Sequence, residues 1–122
     1  MDRYFRSLLI PAGLLGALGV ATAAAAAHGS FPASLQSASL IMLVHAGPIL
    51  CLSLMAPRQI VWLFASLLLS IGALLFGIEV TLSAVLGAGP LPLAAPLGGW
   101  SMILGWATLT GLGIREFLKS SH

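Results

Sequence analysis

The chain has 122 residues, 59% of them hydrophobic and 7% charged, with a mean hydropathy of +1.08. A soluble domain carries about 25% charged residues, so this polypeptide lacks the charged coat that water demands, and a soluble enzyme domain is excluded. The net charge of +2 reflects five Lys and Arg against three acids, too few cations for a nucleic-acid surface, so nucleic acid is excluded as a partner.

A membrane-spanning helix needs roughly 20 mostly apolar residues. The length therefore holds four crossings with short turns, and residues 1–122 are read as a single four-helix transmembrane domain. The first span is expected over residues 7–27, where His28-Gly29-Ser30-Phe31-Pro32 interrupts it. Arg3, Arg6, the apolar run and Ala21-Thr22-Ala23 also fit a secretory signal; the expectation here is a retained span. The second span is placed at 35–55, ending at Ala56-Pro57-Arg58-Gln59, and the third at 60–86, ending at Gly87-Ala88-Gly89-Pro90. The fourth is placed at 96–117 and opens on Pro96, whose missing N–H is no loss in a first helical turn. The proline-rich connection before it is expected to lie extended in the interface.

Arg3 and Arg6 precede the first span, Arg58 lies between the second and third, and Arg115 and Lys119 end the fourth. The other two connections carry no Lys or Arg. By the positive-inside rule both termini and the 57–59 turn are expected to be cytoplasmic, with Tyr4 and Trp62 at the inner interface and Trp100 at the outer one. The last turn of the chain, with Arg115, Glu116 and Lys119, is expected to anchor there by its long stems. The short turn at 56–59 forces spans two and three to be antiparallel. The expected fold is an all-α integral membrane protein, an up-down-up-down four-helix bundle.

In lipid, close backbone approach at small residues drives helix packing more than hydrophobicity does. Gly13, Gly16 and Gly19 recur every three residues in the first span; Ala73 and Gly77 mark the third. Gly98 and Gly99, Ser101 with Gly105, and Ala107 with Gly111 mark the fourth. These are the expected packing stripes, and with no room for a large cavity the same stripes facing outward would suit docking on another membrane protein.

Few polar groups are available for chemistry. Glu79 is an acid within a span, roughly 28 Å along it at 1.5 Å per residue, near the outer interface. Such a residue is a functional candidate by default; a structural role, a proton or ion role and a plain interfacial carboxyl all stay open. His28 ends the first span at the same level, so a His28–Glu79 contact is expected. His45 lies near mid-membrane, three residues before Pro48, which cannot bond to the Val44 carbonyl and is expected to kink the helix. His45 suits an interhelical tie, a ligand or a proton relay. His28 and His45 differ in depth by roughly 15 Å, so they do not form a haem pair within one chain. The lone Cys51 excludes an internal disulfide and a cysteine-cluster metal site, and reads as a small buried hydrophobe. No catalytic constellation is present, and no enzyme activity, cofactor or metal is expected.

Ala-Ala-His28-Gly29 at the end of span one, His45 in span two, Leu75-Phe76 in span three, and Ala95-Pro96-Leu97-Gly98-Gly99 followed by Leu104-Gly105-Trp106 carry a resemblance. In this order they resemble the YgdD-like family, small four-span inner-membrane proteins classed as domain of unknown function 423 (DUF423). The resemblance implies a bacterial inner (cytoplasmic) membrane location and a signature role for His28, His45, Gly98, Gly99 and Trp106. The segment between the two histidines is shorter here than is usual in that family, and Gly77-Ile78-Glu79 replaces small and serine residues, so Glu79 reads as particular to this member. The resemblance implies no reaction.

The leading functional expectation is a non-catalytic accessory subunit that docks on a larger membrane complex, such as a respiratory or photosynthetic one, with membrane lipids and other integral membrane subunits as partners. The alternative is a small proton or cation transporter using Glu79, His45 and His28. A redox or lipid-modifying enzyme is the third and weakest class.

Overall fold

Helix begins almost at the first residue. In the computed structural model, which describes residues 1–122, α1 covers Asp2–Ser7 and α2 Leu9–His28. The first helical stretch thus starts five residues before the expected span. It is interrupted only at Leu8, because Pro11 has no N–H to offer the Ser7 carbonyl. Gly29, in an extended conformation, ends α2 and donates its N–H to the Ala25 carbonyl at 2.8 Å.

The other helices are α3, Ser34–Met55; α4, Ile60–Leu86; and α5, Ala94–Ser120. α3 runs through Pro48 as one continuous helix. Gly87 terminates α4 in the left-handed region (φ 81°), where a residue without Cβ is favoured. α5 starts two residues before Pro96, which therefore sits third in the helix. The first four N–H groups of a helix have no partner within it, so the proline costs nothing there either. The 87–93 connection is not extended. It is tightly turned, with the Ala94 N–H on the Leu91 carbonyl at 2.9 Å and the Leu91 N–H on Glu79 Oε2 at 3.1 Å.

α2 through α5, α1 included with α2, are the four helical stretches long and apolar enough to cross a membrane. They pack as an up-down-up-down series, each against its sequence neighbour: α2 on α3, α3 on α4, α4 on α5. α2 and α5 do not close a ring. Burial follows: α4 carries ten buried residues and α3 seven, but α2 and α5 carry four each.

One end of the bundle gathers every Lys and Arg. Asp2 bridges Arg6 at 3.0 Å and Arg58 at 2.9 Å, and the Arg58 guanidinium lies 4.7 Å above the centre of the fully buried Phe5 ring. Arg115 donates to Gln59 Oε1 at 3.0 Å, which ties the end of α5 to the α3–α4 turn. Both termini therefore lie at this basic end. Tyr4 and Trp100 are exposed (61% and 65%), as interfacial anchors require. Trp62, third in α4 at the same basic end as Arg58, is half-buried against the core, and its Nε1 is buried without a partner.

Candidate functional site

The titratable groups buried inside the bundle, His45 and Glu79, lie at two levels. At mid-bundle, His45 is buried (5% exposed) on α3. Its Nδ1 lies 2.8 Å from the Ile41 carbonyl and its Nε2 is 3.1 Å from Trp106 Nε1 on α5. An indole nitrogen can only donate, so Nε2 accepts from Trp106 and Nδ1 carries the proton donated to Ile41. Both nitrogens are spent. The rings meet edge to face, with centroids 5.9 Å apart and planes at 61°. This bond joins two helices that otherwise barely touch, since α5 packs on α4. Of the three roles open to His45, the observed contacts are those of an interhelical tie.

At the end opposite the cations, Glu79 is buried (6% exposed) near the end of α4. The expected His28–Glu79 contact does not form. His28 is exposed and makes neither a hydrogen bond nor an ion pair with it. The 87–93 connection folds over Glu79 in its place and supplies the Leu91 N–H, while Gly89 lies against Oε1 with no side chain to obstruct it. A short connection between adjacent helices can reach the end of α4 more readily than α2 can, because α2 packs chiefly on α3.

The remaining interior hydroxyls are mostly consumed by backbone carbonyls. Ser39 bonds across to the Gly19 carbonyl at 2.9 Å and Ser101 to the Leu68 carbonyl at 2.7 Å, while Thr22, Ser66 and Ser70 bond within their own helices. Ser53 Oγ and Thr81 Oγ1 are buried without a partner. Cys51, expected to be buried, is exposed on α3.

The glycines divide sharply. Gly19 lies against Leu43, Gly77 against Met42 and Gly105 against Leu69, so these three are genuine contact points between helices. Gly98 goes further: a Cβ there would stand 2.6 Å from the Gly72 carbonyl oxygen and 2.7 Å from the Phe76 nitrogen. Gly72 faces it reciprocally and was not among the expected packing residues; it has no small neighbour one turn away on the stripe that Ala73 and Gly77 define. Gly13, Gly16, Gly99 and Gly111 pack against nothing within 4 Å, contrary to expectation. The helices meet on other faces there, and Gly13 and Gly16 instead look across a shallow groove toward Gly47.

Residues 15–99, more than half of the chain, match the family described as a protein of unknown function, DUF423. The chain belongs to that family. The matched segment includes His28, His45, Glu79, Gly98 and Gly99 and ends before Trp106. No curated protein and no solved structure shows significant similarity to the chain.

Proposed function

We propose that this member of the family is a non-catalytic subunit of the bacterial inner membrane, with its basic end cytoplasmic, that docks laterally on a larger membrane complex. The observation that carries this reading is the groove between α2 and α3, about 330 Å³, lined by Leu9, Ala12, Gly13, Gly16, Ala46, Gly47 and Leu50. Gly13, Gly16 and Gly47 each have open space where a Cβ would stand. A transmembrane helix of another subunit can approach the backbone closely at such positions, which is the chief source of helix association in lipid. The interior agrees with a structural role: His45 has no free nitrogen, so a proton path from Glu79 through it would first have to break the bond to Trp106.

Mild-detergent extraction from the native membrane followed by native sizing tests this. The protein is expected to migrate well above its monomer mass, and Gly16→Leu, which fills the groove, to shift it to the monomer position without loss of folding. Wild-type protein migrating as a monomer overturns the reading. Proteoliposome flux of protons or monovalent cations that is lost in Glu79→Gln would favour the transporter in its place.

A further inference from the structure

Glu79 has more acceptor capacity than the fold uses. A carboxylate offers about four lone-pair sites, and the single protein hydrogen bond it receives is from the Leu91 N–H to Oε2. Oε1 receives none and is not sealed from the surface, although the residue as a whole is more than nine-tenths buried. It lines an open cavity of about 380 Å³ between the start of α3, the end of α4, the 87–93 connection and the start of α5. The other walls include Ser34, Ser83, Gly89, Pro92 and Ala95, and neither serine hydroxyl is bonded within the protein.

No protein cation answers this carboxylate. All Lys and Arg lie at the far end, and His28 does not pair with it. Burying an ionised carboxyl with one hydrogen bond is costly unless a countercharge is supplied. A multivalent metal is a poor candidate, because no group of three or more His, Cys, Asp or Glu is present. The volume lies within the range of about 300–1,000 Å³ for small-molecule sites and is too roomy for one bare ion.

We propose that the Glu79 cavity binds a primary ammonium group. Such a group presents three N–H donors on one positive centre, matching one carboxylate oxygen and the two unengaged serine hydroxyls. The amine belongs either to a phospholipid headgroup at this face of the membrane or to a free small amine in the adjoining solution. This proposal is independent of the α2–α3 groove, which is formed by other residues.

The test uses the full-length protein in phosphatidylcholine nanodiscs, labelled with nitrogen-15 at leucine and carbon-13 at the glutamate carboxyl. Titration with ethanolamine is expected to give a saturable shift of the Leu91 amide and the Glu79 carboxyl, whereas choline, which has no N–H, gives none. Glu79→Gln retains an oxygen that can accept the Leu91 N–H, so the amide stays in place while ethanolamine affinity falls by more than about tenfold. Replacing part of the lipid with phosphatidylethanolamine separates the sources. The same shift without added amine identifies the headgroup, and a response to ethanolamine alone identifies a free amine. No response to either amine in folded wild-type protein, or an equal response to choline or in Glu79→Gln, overturns the proposal.

Discussion

Two glycine-bearing faces of this bundle have opposite fates. On the α4–α5 seam, Gly72 and Gly98 bring the two backbones into direct contact, and Gly105 receives Leu69 a little further along. On α2, Gly13 and Gly16 face open space. Glycine spacing therefore reports that a helix can be approached closely. It does not report whether the approaching helix belongs to the same chain.

The largest expected effect breaks the closed face. Gly98→Ala or Gly72→Ala places a methyl group against backbone atoms that cannot move aside, and overpacking of this kind costs about 1–3 kcal/mol. Thermal unfolding of the detergent-solubilised protein should show a clear loss of stability. Next is Trp106→Phe, which leaves His45 Nε2 without its donor. Hydrogen bonds between membrane helices average about 0.6 kcal/mol and reach about 1.7, so a loss within that range is expected by the same measurement. Gly105→Ala meets the Leu69 side chain at 2.8 Å and its backbone nitrogen only at 3.2 Å, against 2.6 Å to backbone at Gly98, and should cost less than Gly98→Ala. The smallest change sharpens the comparison from the other side. Gly13→Ala should alter monomer stability by no more than about 0.5 kcal/mol, because nothing lies where the methyl would go. A loss as large as that of Gly98→Ala would show that the α2 face is already filled.

The spans and their alternation were legible in the sequence because long apolar runs and the placement of five cations are strong signals that need no knowledge of rotation. The DUF423 resemblance, too, was visible in the order of its short motifs. Which face of each helix turns inward was not legible. In water, polarity separates the inner from the outer face, but here Leu, Ala and Gly occupy both, and only shape distinguishes them. That is why the sequence marks Gly13, Gly16 and Gly99 as packing points that do not pack, and gives no sign of the close approach at Gly72. The partners of His45 and Glu79 were hidden for a related reason. Trp106 lies 61 residues from His45 in sequence, and Glu79 takes its bond from the Leu91 backbone, where side-chain identity carries no signal.

Because α2 to α5 lie in series and not in a ring, every major interface joins a helix to the one synthesised just before it. A nascent chain leaving the ribosome could bury each surface as soon as the next crossing arrives, with little opportunity for mispairing. Phe5 is an exception, since its cover, Arg58, emerges two crossings later. The amino terminus is thus expected to remain unsettled until that turn appears, and then to latch the first half of the protein shut.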